Sequence, residues 1–391
     1  MTIELSVVMP CLNEAETLET CIRKAQGFLA ASGVVGEIVI GDNGSTDGSQ
    51  DIARNLGARV IDVPVRGYGA ALYWAIMAAE GRYCIMADSD DSYDFTRLQS
   101  FVDELRTGTD LVMGNRFAGG IAEDAMPWKN RYIGNPILSG IGRMLFTSPS
   151  KDFHCGLRGF SKEAFIRMDL RTTGMEFASE MVIKATLMKM KIAEVPTTLS
   201  PDGRSRPPHL RPYRDGWRHL RFMLLFSPNW LFLYPGITLM LAGLILGGFL
   251  IGGPLFVADI RLGIDTLIYS AAMVEIGFQA ILFAVLSKAY AIQESLYPPS
   301  LRSGVLQKMI TLERALIVGV TLLVIGMALL YHAISIWHAA AFGELDVERI
   351  TRVVIGSSLC LTLGFEVMLS GFLLSTLRLN IRSNAHPGTA G

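Results

Sequence analysis

Beyond Asn229 the chain runs from residue 230 to residue 257 without an aspartate, glutamate, lysine or arginine. Three more such stretches follow: 266–287 with only Glu275, 315–338 with none, and 353–377 with only Glu366. Each reaches or exceeds the roughly 20 apolar residues that cross a bilayer as a helix. Buried helices of one large soluble domain would need four such runs in succession. Four transmembrane helices are therefore expected, at about 230–257, 266–287, 315–338 and 353–377.

Basic residues assign an orientation to these spans. Arg204, Arg206, Arg211, Arg214, Arg218 and Arg221 precede the first span. Lys288, Arg302, Lys308 and Arg314 fill the second connection, and Arg378 and Arg382 follow the last span. The first connection has only Arg261, and the third sets Arg349 and Arg352 beside Glu344, Asp346 and Glu348. The expectation is a multi-pass cell-membrane protein with its N-terminal domain, middle loop and C-terminus in the cytoplasm. Residues 1–9 lack the basic start of a signal peptide. The segments read as a 1–212 domain, a 213–228 amphipathic juxtamembrane segment, a 229–378 membrane domain and a 379–391 tail.

Thirty-five basic against 36 acidic residues leave a net charge of −1, which gives no drive toward nucleic acid. Five scattered cysteines without a CxxC pair argue against a disulfide scaffold or a structural zinc.

The first 200 residues alternate strand and helix patterns. Strands are expected at 5–9, 37–41, 59–63, 83–87 and 110–114, with helices at 15–30, 48–56, 69–79 and 98–105. That rhythm specifies an α/β fold with a mostly parallel, Rossmann-like sheet, whose ligands sit at the carboxyl ends of the strands.

Polar clusters fall at those ends. Asp88-Ser89-Asp90-Asp91 follows an apolar strand directly. Alternate carboxylates there can converge on a hard cation, Mg²⁺ or Mn²⁺, that also takes phosphate oxygens. A solvated acidic turn satisfies the same residues. Pro10 ends the first strand, and Asn13 can cap a helix beginning near Ala15. In residues 41–48 (GDNGSTDG), small residues allow close backbone approach, and Asp42 can accept hydrogen bonds from a base or ribose or simply cap its own turn. Gly67-Tyr68-Gly69 reads as a close-approach turn onto a helix N-terminus.

In that order, VVMPCLNE, IGDNGSTDGS, RGYGAAL and ADSDD resemble family 2 glycosyltransferases of the GT-A fold. VMGNRF (112–117), DFHCGLRGFSKEAF (152–165) and GMEFASEM (174–181) make the chain most similar to the polyprenyl-phosphate group, with dolichyl-phosphate mannose and glucose synthases.

The resemblance implies an inverting transfer of a hexose from UDP-glucose, with GDP-mannose next, to dolichyl or undecaprenyl phosphate. It implies Pro10, Asn13, Glu14 and Asp42 around the nucleotide, and Asp88 and Asp90 on the metal and donor diphosphate. Arg116 and Arg131 would hold the acceptor phosphate with Asn135, which stands where relatives have a serine. Arg204 or Arg206 would close over the diphosphate from the proline- and arginine-rich segment 201–212, or that segment would make a static contact with anionic lipid. Ser92 replaces a glutamine two positions after the second metal aspartate, so Asp91 or water would complete the metal shell. The glutamine and Arg-Trp signature of processive polysaccharide synthases is absent. A neutral lipid acceptor, or a lipid transporter or scaffold carrying a nucleotide-binding domain, are the competing functions, and a homo-oligomer is left open.

Two stretches are amphipathic: 133–146, with Ile137, Ile141, Met144 and Leu145, and 216–226, with Trp217, Leu220, Met223, Leu224 and Leu225. Both suit the headgroup layer of a membrane.

Overall fold

The computed structural model describes residues 2–205, 212–294, 297, 311–344 and 346–377. Arg206, Arg211, Arg302, Lys308 and the tail 379–391 lie outside them. The chain divides into two units, Met1–Ser227 and Pro228–Gly391.

The first unit opens with β1 (Leu5–Cys11), α1 (Leu18–Ser32), β2 (Gly36–Asp42), α2 (Ser49–Asn55), β3 (Arg59–Asp62) and α3 (Tyr68–Ala78). It continues through β4 (Tyr83–Met86), α4 (Gln99–Arg106), β5 (Leu111–Asn115), α5 (Arg116–Gly119) and α6 (Asn135–Phe146). It closes with β6 (Arg158–Ser161), α7 (Lys162–Met168), α8 (Glu176–Leu187), β7 (Ile192–Pro196) and α9 (Pro212–Leu225).

The strands form one seven-stranded sheet in the order β3-β2-β1-β4-β6-β5-β7. All pairings are parallel except those of β6 with β4 and β5. The chain winds outward from β1 to β2 and β3, then returns to the other side of β1 with β4. Between β1 and β4, therefore, the carboxyl ends of the strands open onto a crevice, which is where a doubly wound sheet takes its ligand. The crevice wall is pinned across that gap: Ser89 Oγ donates to the Pro10 carbonyl and Thr17 Oγ1 to the Ser89 carbonyl, each at 2.7 Å.

β1 is buried from Leu5 to Met9, and β4 throughout, so both read as apolar runs. A Cβ at Gly41 would strike the Ala71 carbonyl, so glycine lets α3 lie directly on β2. α1 begins at Leu18, three residues later than expected. Asn13 does not cap it: Asn13 has φ 59°, and its Oδ1 accepts from Thr46 N at 2.8 Å. The cross-loop bond ties the β1 and β2 ends together, a contact that local sequence does not show.

The second unit holds α10 (Tyr234–Leu250), the hairpin β8 (Leu255–Val257) and β9 (Ile260–Leu262), α11 (Ile264–Gln293), α12 (Leu312–Ala339) and α13 (Val347–Leu377). With the π-helical turn Asn229–Leu233 ahead of α10, four helices among the described residues are long and apolar enough to cross a membrane. The first ends at Leu250 rather than near 257, because Gly252, Gly253 and Pro254 break it and the chain turns into the hairpin. Glycines bring the backbones together: a Cβ at Gly236 would lie 2.8 Å from the Gly277 carbonyl, and one at Gly319 2.8 Å from that of Gly364. Small residues at helix crossings are how membrane helices gain packing energy without a hydrophobic driving force.

Candidate active site

The sheet brings Pro10, Asp42, Asp88, Asp90 and Arg116 to one edge: Pro10 within β1, Asp42 ending β2, the aspartates following β4 and Arg116 following β5. Burial and the neighbouring charge of Asp90 push the Asp88 carboxyl up to about 6, while Tyr68, Arg204 and Arg116 draw it down. The Tyr68 phenol hydrogen-bonds this carboxylate, and burial beside Asp88 lifts its own pKa well above the usual value. Asp90 Oδ1 accepts from Ser92 N at 3.1 Å and Ser92 Oγ at 2.6 Å, and its Oδ2 from Arg204 Nη2 at 2.7 Å.

Ser92 thus buttresses the second aspartate. Asp91 is paired instead with Lys24, with φ 63° and its Oδ1 2.7 Å from Lys24 Nζ. Among the described residues no group of three or more histidines, cysteines or acids gathers to hold a metal. An Asp88–Asp90 pair suits a cation that draws its other ligands from phosphates and water.

On the β2 side, Asp42 Oδ2 accepts from the amides of Gly44 and Ser45 at 3.0 and 3.1 Å and from Gln50 Nε2 at 2.6 Å. Its Oδ1 is buried without a hydrogen-bond donor. A buried polar atom left unpartnered is costly, and a ligand donor would relieve it. Glu14 approaches from β1, with its Oε1 3.2 Å from Arg204 Nη1 and its amide donating to Ser49 Oγ at 2.9 Å. Arg204 comes from the segment after β7, which also bonds at Gly203 N to the Asp90 carbonyl (2.9 Å) and at Ser205 N and Oγ to Glu16 (2.7 and 2.6 Å).

On the β5 side the structure adds residues that sequence reasoning missed. Arg116 is buried and spends Nε and Nη2 on the two oxygens of Asp152, both at 2.8 Å. Glu194 accepts from Asp152 N (3.1 Å), Ser150 Oγ (2.9 Å) and Asn115 Nδ2 (3.0 Å), fixing that carboxylate. Arg158 is fully buried, its guanidinium donating to the carbonyls of Cys155, Phe153 and Ala178. His154 has neither ring nitrogen hydrogen-bonded, and burial beside His219, Arg158 and Arg116 lowers its pKa well below the usual value.

Arg131 and Asn135 are not joined to Arg116. Arg131 lies over the Tyr132 ring at 5.5 Å, and Asn135 Nδ2 is 3.2 Å from Met126 Sδ.

Residues 6–168 match the family described as Glycosyl transferase family 2, and residues 285–378 match the Glycosyltransferase family 2 C-terminal transmembrane region. The chain is 34% identical to the low-salt glycan biosynthesis hexosyltransferase Agl6 of Haloferax volcanii, over 95% of this chain and 89% of that protein. It is 30% identical to a dolichyl-phosphate hexose transferase of the same organism, over 49% of this chain and 81% of that one. A crystal structure of glucosyl-3-phosphoglycerate synthase from Mycobacterium tuberculosis with Mn²⁺ and UDP-glucose is 25% identical, covers 57% of this chain and 78% of that one, and superposes at a TM-score of 0.45. That likeness is too loose to transfer residues. The full-length relationship and the two successive family matches place this chain among the family 2 glycosyltransferases, as a membrane enzyme with a GT-A domain.

Proposed function

We propose that this enzyme transfers a hexose from a nucleotide sugar to a polyprenyl phosphate, inverting the anomeric configuration, with UDP-glucose the favoured donor and GDP-mannose the next. The observation that carries this reading is the order of groups along one crevice: the unpartnered Asp42 Oδ1, the Asp88–Asp90 pair, then the Arg116 guanidinium. Those are, in order, a nucleoside acceptor, a place for a metal-bound diphosphate and a phosphate-binding cation. The name of the Haloferax dolichyl-phosphate hexose transferase supports the acceptor class.

Pro10, Asn13 and Glu14 line the nucleoside end with Asp42. Asp88 and Asp90 fit Mg²⁺ or Mn²⁺: a dication relieves the repulsion that lifts the Asp88 carboxyl, and when bound it supplies Lewis-acid neutralisation of the leaving diphosphate. Arg204 pairs with Asp90 and Glu14, and would turn its fork to the diphosphate when donor enters. Arg206, outside the described residues, is assigned to the same loop.

Asp152 leaves Nη1 of Arg116 to hold the acceptor phosphate. Arg131, in the turn before α6, and Asn135, the first residue of α6, are assigned to the same phosphate. Arg158 adds a second buried cation nearby and keeps the potential positive where the phosphate arrives. A lipid phosphate is already an anion at neutral pH, so its oxygen attacks the anomeric carbon without a strong general base. The protein supplies positioning and leaving-group stabilisation.

The acceptor arrives through the bilayer surface. Within the first unit, α6 and the turn before it expose Trp128, Tyr132, Ile137 and Met144, while α9 exposes Trp217 and Leu225, with Arg143 and Arg221 also exposed. That mixture suits a headgroup layer on the cytoplasmic side, where the catalytic unit and C-terminus are assigned.

The test is to give purified full-length enzyme labelled donor with polyprenyl phosphate and, in parallel, diacylglycerol. Label entering only the phosphate lipid supports the reading. Label entering only the neutral lipid overturns it.

A further inference from the structure

The hairpin of β8 and β9 joins α10 to α11 at the end of the helix bundle where α13 begins. Its register pairs Leu255 with Leu262, Phe256 with Arg261 and Val257 with Ile260. Residues opposite one another in an antiparallel pair share a face, and successive residues alternate. Leu255, Val257, Ile260 and Leu262 therefore make one wholly aliphatic face, and Phe256 and Arg261 stand on the other. Val257 is 52% and Ile260 65% exposed, so the outer half of the aliphatic face lies open.

An ion pair places the hairpin. Arg261 Nη2 is 2.5 Å from Glu348 Oε1, in the first turn of α13, and Arg352 Nη2 meets the other oxygen of Glu348 at 3.3 Å. Glu348 stands just ahead of the apolar run 353–377. The tip of the hairpin thus lies at the level where α13 enters the bilayer, rather than standing out from it. Exposed Phe249 and Ile251 lead into the hairpin, and exposed Ile268 and Tyr269 follow it. Along the chain it continues the apolar surface that α10 and α11 offer to lipid. A two-stranded hairpin is marginal in water by itself, and a leaflet under its aliphatic face would hold it. Full immersion in hydrocarbon is excluded, because the outer edges of a two-stranded sheet carry backbone groups that need water or lipid head groups.

We propose that the aliphatic face of this hairpin, Leu255, Val257, Ile260 and Leu262, docks into the headgroup layer of the membrane surface at which α10 ends and α13 begins. The partner is the lipid leaflet itself, taken up by an amphipathic hairpin as other proteins take it up by an amphipathic helix.

The test uses the full chain in phospholipid vesicles with Cys360→Ala; the other four cysteines are buried and stay unlabelled. A nitroxide is placed in turn at Val257→Cys, at Ile260→Cys, at Asp259→Cys in the turn between the strands, and at Leu241→Cys, exposed near the middle of the first span. Collision rates with oxygen, which favours lipid, and with a neutral nickel chelate, which favours water, are compared with both reagents on both sides of the membrane. The oxygen-to-nickel ratio at 257 and 260 should be several-fold above that at 259 and below that at 241. A ratio at 257 and 260 equal to that at 259 puts the face in water and overturns the proposal. So does slow collision with both reagents, which marks a covering of protein, or a ratio equal to that at 241.

Discussion

Arg204 Nη2 lies 2.7 Å from Asp90 Oδ2, so an arginine is paired with a carboxylate assigned to a divalent ion. The same guanidinium reaches Glu14 and Asp202, and Glu16 holds the next residue, Ser205.

Metal binding without donor must therefore displace Arg204. Arg204→Ala is expected to tighten Mn²⁺ binding in the absence of nucleotide, read by titration of the metal's paramagnetic signal. The same change removes a charge-assisted contact to the diphosphate and lowers kcat/KM by about 10- to 100-fold. Weaker Mn²⁺ binding in the variant would contradict this arrangement.

The Asp88 carboxyl, at about 6, gives a pH dependence with a definite sign. On the proposed metal-binding role, a cation binds this carboxylate ionised, so its binding would release a proton whenever the pH lies below that value. Apparent metal affinity should rise with pH, by up to about tenfold per unit below 6, and level off above roughly 7. Protonated Asp88 is also the form that burial favours, so its contribution to fold stability declines as pH rises from about 4 through 6. Isothermal titration of Mn²⁺ between pH 5 and 8 reads the first effect. A flat profile contradicts it.

Asp42 has one oxygen committed to its own turn and one without a donor. Asp42→Ala is expected to raise the donor KM by about 10- to 100-fold, the worth of a hydrogen bond to a charged group, with a smaller effect on kcat. Steady-state kinetics with saturating acceptor separate the two parameters.

Asp152 pairs with buried Arg116 at zero exposure. Asp152→Ala would strand that guanidinium and is expected to cost about 3–5 kcal/mol of stability. Asp152→Asn keeps one acceptor oxygen and should cost less. Thermal melts of the full chain in nanodiscs rank the two. Equal losses would mean that the ion pair contributes little beyond shape.

Much of this was legible in the sequence, and for physical reasons. The apolar runs behind Asp42, Asp88 and Arg116 are strands of the sheet, fully buried in β4 and β5, and their hydrophobicity declares them. β6 was not legible: Arg158-Gly159-Phe160-Ser161 has little strand character, and only the neighbours β4 and β5 hold it antiparallel in the sheet. The early end of the first span follows from glycines and a proline that stand inside an apolar run, where hydropathy outweighs them. Asp152, Arg158 and Glu194 announce nothing, because the partners that make their burial tolerable lie up to 79 positions away. Gly67-Tyr68-Gly69 reads as a close-approach turn onto a helix N-terminus, and only the fold sets the Tyr68 phenol on Asp88.

The central claim is sugar transfer to a lipid phosphate, and a donor screen tests it most directly. Labelled UDP-glucose, GDP-mannose and UDP-galactose are offered to the purified full chain with undecaprenyl or dolichyl phosphate, with and without Mg²⁺ or Mn²⁺. The account predicts a metal-dependent, mild-acid-labile glycolipid from one donor, UDP-glucose first. Nucleotide binding with no lipid product from any donor would contradict it.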